Sequence, residues 1–174
     1  MERLRFTHED FVNGASWNGA ESAILTWSDD GTARMWDAAS GAERLRFTHE
    51  GWVNGARWNR AGSAILTRSF GGTARLWDAA TGTALFTLTG DGSPVVTTQW
   101  SQDERRILFV TQNGFAGIFY IQMADLLTIG CEQYATHNFT WQEWQLYFPG
   151  QPYRVTCPQW PVHPTVPEEF RSES

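Results

Sequence analysis

Residues 2–42 read ERLRFTHEDFVNGASWNGAESAILTWSDDGTARMWDAASGA, and residues 43–83 read ERLRFTHEGWVNGARWNRAGSAILTRSFGGTARLWDAATGT. The second stretch follows the first directly, and 30 of the 41 aligned positions are identical. A period of about 40 residues with several short β-prone runs is typical of a propeller blade. A repeated, strand-rich unit therefore decides the fold of this chain.

Each copy divides into four strand-like runs that are separated by turn residues. In the first copy we predict strands at residues 3–6, 11–17, 23–28 and 32–37. The turn before the last strand contains Asp29, Asp30 and Gly31, and glycine accepts the positive φ that a tight hairpin requires. The second copy repeats this plan, with Phe70, Gly71 and Gly72 in the same turn.

A third, diverged copy follows the two similar ones. Its strand-like runs are residues 84–88, 95–100, 106–111 and 115–121, and Gln112, Asn113 and Gly114 form its hairpin turn. The sequence thus predicts an all-β propeller region over residues 1–121. We expect three four-stranded antiparallel blades, over residues 2–42, 43–83 and 84–121.

The pattern changes after residue 121. Apolar residues recur at spacings of three and four, and Thr140 with Glu143 forms a capping box, so we predict an α-helical hairpin over 122–148. Six of the seven prolines follow Phe148, which predicts a Pro-rich extended tail over 149–174.

The repeats carry a family resemblance. Thr7-His8, the run from Ser28 to Thr32, and Trp36-Asp37 resemble a WD repeat, and the second copy shows the same pattern. The resemblance spans residues 2–121. It implies β-propeller blades, each held by a structural tetrad in which an indole, a serine hydroxyl, an imidazole and a carboxylate are linked by hydrogen bonds. The implied members are His8, Ser28, Asp30 and Trp36 in the first copy and His49, Ser69 and Trp77 in the second.

The tetrad is expected to be incomplete after the first copy. Gly71 stands where the carboxylate should be in the second copy, while Asp91 and Phe119 replace the histidine and the tryptophan in the third. We interpret these histidines and tryptophans as structural rather than catalytic.

The resemblance also implies a partner-binding face, where the tight hairpins meet the loops between blades. A protein or peptide partner is expected there, and two of the eleven differences between the first two copies, Phe11/Trp52 and Asp29/Phe70, fall on it. Ordinary loop drift explains such differences equally well. The expected positions are Phe11, Asn13, Asp29, Trp52, Asn54, Phe70, Pro94, Val96 and Gln112.

Composition excludes several other functions. The net charge is −6 and the sequence contains no lysine, which argues against nucleic-acid binding. We expect no membrane span, no metal and no cofactor, because long apolar runs, metal-ligand motifs and P-loop patterns are missing from the sequence. Since the first residues show no apolar signal core, we expect a cytoplasmic protein.

The tail leaves the functional context open. Residues 125–158 resemble the tail that follows WD repeats in bacterial signalling proteins with NACHT- or NB-ARC-type ATPase or protease modules. The leading hypothesis is a non-catalytic interaction module, a scaffold or sensor. The alternatives are a partial-propeller remnant without its own ligand and, less favoured, a thiol enzyme that uses Cys131 and a histidine, His137 or His163.

Three blades do not close a ring, because a propeller needs at least about four. The run at 3–6 is expected to complete a blade before it, and the third blade to end at residue 121 without its outer strand. We therefore expect a head-to-tail homo-oligomer, with a dimer favoured. The alternative is that the chain is a fragment of a longer one.

Overall fold

The computed structural model describes residues 4–121, 138, 140–142, 145, 155 and 161–168. The chain divides into two compact units, Met1–Phe119 and Tyr120–Ser174. The described residues contain eleven β-strands: β1 (Val12–Trp17), β2 (Ala23–Ser28), β3 (Thr32–Asp37), β4 (Glu43–Thr48), β5 (Val53–Trp58), β6 (Ala64–Ser69), β7 (Thr73–Asp78), β8 (Ala84–Thr89), β9 (Val95–Trp100), β10 (Arg106–Thr111) and β11 (Ala116–Tyr120).

The strands form three sheets that follow the chain in order. Blade 1 is β1-β2-β3-β4, blade 2 is β5-β6-β7-β8, and the third sheet is β9-β10-β11. The pairs with a defined register are antiparallel. The all-β prediction is confirmed. The prediction of four strands in every blade is wrong for the third sheet, which has three strands among the described residues.

The predicted strand at residues 3–6 is also wrong over its described part, since residues 4–8 form no strand. The physical reason is that the first run of each repeat pairs with the blade before it. Accordingly β4, from the second repeat, pairs with β3, and β8 pairs with β7. Residues 4–8 have no such preceding sheet among the described residues, so they make no ladder.

The core of the first unit lies between blades 1 and 2. Alternation along β2 and β3 points Leu25 and Met35 towards blade 2, where they cluster with Val53, Ile65 and other buried apolar side chains. Trp27, Leu45 and Trp58 are partly buried at the margin of this cluster. Tight turns keep the strands in register, and Gly31 and Gly72 both take the φ of +80° that their hairpins require.

Few residues of the second unit are described. The amide of Asn138 donates to the Pro161 carbonyl at 3.1 Å, and both Asn138 and Val166 are fully buried. Most of the predicted helical hairpin and Pro-rich tail lies outside the described residues, as do Cys131 and His137.

Candidate interaction face

Blade 1 contains a continuous hydrogen-bonded chain from an indole to a carboxylate. Trp36 Nε1 donates to Thr26 Oγ1 at 2.8 Å, and the same hydroxyl lies 2.7 Å from His8 Nε2. On the other side of the ring, His8 Nδ1 lies 2.8 Å from Asp30 Oδ2. Because buried polar groups are costly when unpaired, this network ties residue 8 firmly to β2, β3 and the turn between them.

The hydroxyl in this network is Thr26, so the predicted role of Ser28 is wrong. Trp36 pairs with Ile24 across the ladder, which places Thr26 on the adjacent same-face position. Ser28 lies two residues farther on, about 13 Å along the strand from Ile24, which is beyond the reach of the indole. Ser28 instead donates to the Asp10 carbonyl and accepts from the Asp30 amide, so it braces the hairpin turn.

Blade 2 repeats the network with one member missing. Thr67 Oγ1 accepts from Trp77 Nε1 at 2.8 Å and lies 2.7 Å from His49 Nε2. Ser69, like Ser28, bonds backbone instead of the ring. With Gly71 in place of the aspartate, His49 Nδ1 has a hydroxyl partner, Thr73 Oγ1, at 3.2 Å. Sequence reasoning missed Thr26 and Thr67, although the two-residue alternation of a strand would have offered them as candidates.

The missing carboxylate changes the electrostatics. Burial alone would raise the pKa of Asp30, but hydrogen bonds from Thr32 and His8 outweigh it and hold that pKa below its ordinary value. In blade 2, burial lowers the pKa of His49 to about 4, and the positive charge of Arg75 adds to the effect. His49 is therefore neutral near pH 7, and both of its ring nitrogens lie within hydrogen-bond distance of threonine hydroxyls.

The predicted partner-binding positions gather at one end of each sheet. The backbone amide of Asp29 donates to the Phe11 carbonyl at 2.9 Å, and the same bond joins Phe70 to Trp52. In the third sheet Gln112 donates to Pro94 at 2.8 Å. Each blade thus presents an equivalent pair at this end, and Val96 lies beside the third pair with its side chain exposed.

Aromatic side chains dominate the first two pairs. Phe11 is 78% exposed, Trp52 is 56% exposed and Phe70 is 43% exposed. The Trp52 and Phe70 rings meet edge to face, with centroids 6.1 Å apart and an interplanar angle of 79°. We call these three residues the aromatic face. Such an arrangement leaves two rings braced against each other while both remain open to solvent.

Two of the predicted positions also connect neighbouring blades. Asn13 Nδ2 donates to the Val53 carbonyl at 3.0 Å and to Asp29 Oδ1 at 2.6 Å. Asn54 Nδ2 makes the corresponding bond to the Val95 carbonyl at 2.8 Å. Each amide thus connects its blade to the first strand of the next one. We therefore assign Asn13 and Asn54 to blade-to-blade cohesion.

Two features are absent from the described part of the chain. Within it, no group of three or more His, Cys, Asp or Glu side chains could hold a metal ion. Its helical residues include no helix that is long and apolar enough to cross a bilayer.

Residues 2–37 and 42–78 match the family model of the WD domain, G-beta repeat. These two stretches, which make up less than half of the chain, are similar to WD repeats. Proteins with these repeats generally act as non-catalytic protein-interaction scaffolds and commonly bind proteins or peptides. The third sheet lies beyond the matched residues. No curated protein matches the chain.

Proposed function

We propose that the chain is a non-catalytic protein- or peptide-interaction module and that a partner docks on the aromatic face. The observation that carries this proposal is the exposed edge-to-face pair of Trp52 and Phe70. A partner that covers these rings would gain about 25 cal/mol of binding free energy for every Å² of apolar surface removed from water. Tryptophan and tyrosine are the commonest anchors of protein interfaces, and rigid, braced rings lose little entropy on binding.

The pattern of differences between the two repeats supports the same site. The two copies are identical at 30 of 41 positions, yet Phe70 replaces Asp29 and Trp52 replaces Phe11. Both changes enlarge the exposed apolar area at the end of blade 2 that belongs to the aromatic face. A change that only had to preserve the blade would not need an exposed aromatic residue in a hairpin turn.

For the wider context, we propose a scaffold or sensor in a bacterial, cytoplasmic signalling system. The resemblance of residues 125–158 to the tails of such proteins supports this role. We also propose that the chain assembles with copies of itself, because residues 4–8 and the edge strand β11 both lack a partner strand among the described residues.

A peptide-display selection on the full chain tests the docking site. Peptides enriched on the wild-type protein should lose about tenfold or more in affinity for Trp52→Ala and for Phe70→Asp, which installs the residue of the first repeat. Phe86→Ala is the matched control, because Phe86 is a similarly exposed ring on the outer strand β8. Selected peptides that bind all four proteins equally would contradict the proposed site.

A further inference from the structure

A pocket of about 450 Å³ opens between blades 1 and 2, at the far end of β5 from the aromatic face. It combines indole rings with positive charge, and we call it the Arg–Trp pocket. Its lining includes Ser16, Trp17 and Trp27 from blade 1 and Arg57, Trp58 and Arg68 from blade 2. All of these residues belong to the first compact unit.

The two guanidinium groups of this pocket have no acidic partner among the described residues. Arg57 and Arg68 form none of the ion pairs found there, and the repulsion between them adds to burial in lowering the pKa of Arg68. Five other arginines form ion pairs with carboxylates, whereas Arg5 and Arg60, which do not line the pocket, form none among the described residues. The paired ones are Arg34, Arg44, Arg46, Arg75 and Arg106. Two uncompensated cations in a pocket of an acidic protein indicate a site for an anion.

Unused hydrogen-bonding groups point the same way. Arg68 donates from Nη2 to the Asn54 carbonyl at 3.1 Å, but its Nε–H is buried without a partner within the described part of the chain. The indole N–H of Trp58 and the hydroxyl of Ser16 are likewise buried and unpartnered there. Unsatisfied buried polar atoms are uncommon in folded proteins, and three of the seven in the described part of the chain belong to residues that line this pocket.

The pocket owes its charge to differences between the repeats. Arg57 and Arg68 occupy the positions of Ser16 and Trp27 in the first copy. Gly55 makes room for the Arg68 guanidinium, because a Cβ there would lie 2.5 Å from Cζ. Gly14 does the same for the ring of Trp27, at 2.3 Å. The backbone therefore cradles a planar group in both blades, and blade 2 has exchanged an indole for a cation.

We propose that the Arg–Trp pocket binds a carboxylate side chain from a glutamate-rich segment of a protein partner. The guanidinium groups supply charge-assisted donors for the carboxylate. The tryptophans supply apolar walls for the methylene stem of glutamate. The choice of a peptide as ligand rests on the proposed interaction function, whereas the anion site rests on the pocket alone.

The test follows the indole N–H signal of Trp58 by NMR during titration of the full chain. The probes are three N-acetylated, C-amidated tetrapeptides made of glutamate, glutamine or phosphoserine. The glutamate peptide should shift the Trp58 signal, and the glutamine peptide should not. Arg57→Ser and Arg68→Trp should each weaken binding about tenfold, the loss expected for one charge-assisted bond.

Both variants carry residues that the first repeat already accommodates, so their spectra should report folded protein. Arg44→Gln is the control, since it removes one positive charge on the outer strand β4 and should leave the affinity unchanged. A glutamate peptide that leaves the Trp58 signal unmoved, or that binds both variants as tightly as the wild-type protein, would overturn the proposal. Binding of the phosphoserine peptide alone would overturn the assignment of a carboxylate.

Binding at the aromatic face distinguishes a failure of the Arg–Trp pocket from a failure of the proposed function. Peptides selected through Trp52 and Phe70 should bind Arg57→Ser as tightly as wild type. If they do while the glutamate peptide fails, the Arg–Trp pocket is refuted and the interaction function stands. If the glutamate peptide binds in an arginine-dependent way while no peptide depends on the aromatic face, the pocket is supported and the proposed docking site fails.

Discussion

At the scale of single residues, the replacement of Asp30 by Gly71 shows what one carboxylate does for a blade. In blade 1 the Asp30 carboxylate accepts from His8, Thr32 and the buried Arg34. In blade 2 the equivalent arginine, Arg75, turns to Glu50, and its Nε–H is buried without a partner among the described residues. The histidine Nδ1 therefore has a carboxylate partner in one blade and a hydroxyl partner in the next.

The neutral histidine of blade 2 makes stability depend on pH. The pKa of His49 is about 4 in the folded chain and 6.5 when unperturbed, so the unfolded chain binds more protons between these values. The contribution of His49 is complete above pH 6.5 and is lost as the pH falls from 6.5 to 4, by about 3 kcal/mol. Titration of the His49 ring by NMR should give the low pKa directly. A midpoint near 6.5 would contradict this prediction.

Restoring the carboxylate should raise that pKa. A Cβ on Gly51 would lie 2.7 Å from the Gly71 nitrogen, so the two loops approach more closely than aspartates allow. The double variant Gly51→Asp/Gly71→Asp carries the residues of the first repeat. It should therefore move the two loops apart to the spacing that blade 1 has. We expect the His49 pKa to rise by about one unit or more, because a nearby carboxylate favours the imidazolium form.

Gly51→Asp/Gly71→Asn is the control for this change, since it has nearly the same shape at residue 71 without the charge. It should leave the His49 pKa close to its wild-type value. Equal pKa values in the two double variants would show that the carboxylate does not reach the ring.

At the scale of elements, the asparagine amides hold neighbouring blades together. Asn54→Ala removes the donor to the Val95 carbonyl and should lower the free energy of unfolding by about 1–3 kcal/mol, the cost of a buried group left unpaired. Asn54→Asp should cost more, because it sets a charged acceptor against the carbonyl. Denaturant unfolding monitored by fluorescence measures both. A stability for Asn54→Asp equal to that of wild type would contradict the role of Asn54 in holding neighbouring blades together.

The strands and turns were accessible from the sequence, because their signals are local. Val12–Trp17 and the hairpin at Gly31 follow from alternation and from the φ that glycine permits. The grouping of strands into sheets is not local, so residues 4–6 read as a strand although a strand exists only beside a partner. Thr26 was missed for a similar reason: its role depends on its ladder position relative to Trp36, and composition does not reveal register.

The site was predicted only in part. The resemblance placed the aromatic positions at one end of the blades, but it did not reveal that the amides of Asn13 and Asn54 join neighbouring blades. The Arg–Trp pocket was invisible to sequence reasoning, since Arg57 and Arg68 look like ordinary surface arginines. The packing of the two sheets shows that Arg57 and Arg68 line one pocket and that neither forms an ion pair with a described carboxylate.

At the level of the whole molecule, the described part of the first unit has two places where a strand could be added. They are the segment at residues 4–8 and the sheet edge at β11. Phe6 contacts Trp36 with centroids 5.5 Å apart, and Phe47 contacts Trp77 in the same way at 5.4 Å. Residues 4–8 therefore lie against blade 1 as β4 lies against blade 2, but without a sheet of their own among the described residues. At the other side, β11 is a sheet edge with no outer strand in that part of the chain.

We predict that residues 4–8 of one copy pair with β11 of another, head to tail. An unpaired edge favours such strand addition, and two chains would supply six blades, within the usual range for a closed propeller. Light scattering at micromolar concentration should then give twice the 19.7 kDa of one chain.

Proline substitutions identify the edge that pairs. His49 donates its backbone amide to the Gly31 carbonyl, so in the equivalent segment the amides of Leu4, Phe6 and His8 face the vacant side. Leu4→Pro removes one of these donors and should weaken association about tenfold or more, whereas Leu4→Ala should not. Arg5→Pro is the sharper control, because its amide faces away from the proposed partner. A single-chain mass for the wild-type protein at high concentration, or equal weakening by Leu4→Pro and Arg5→Pro, would rule out this pairing.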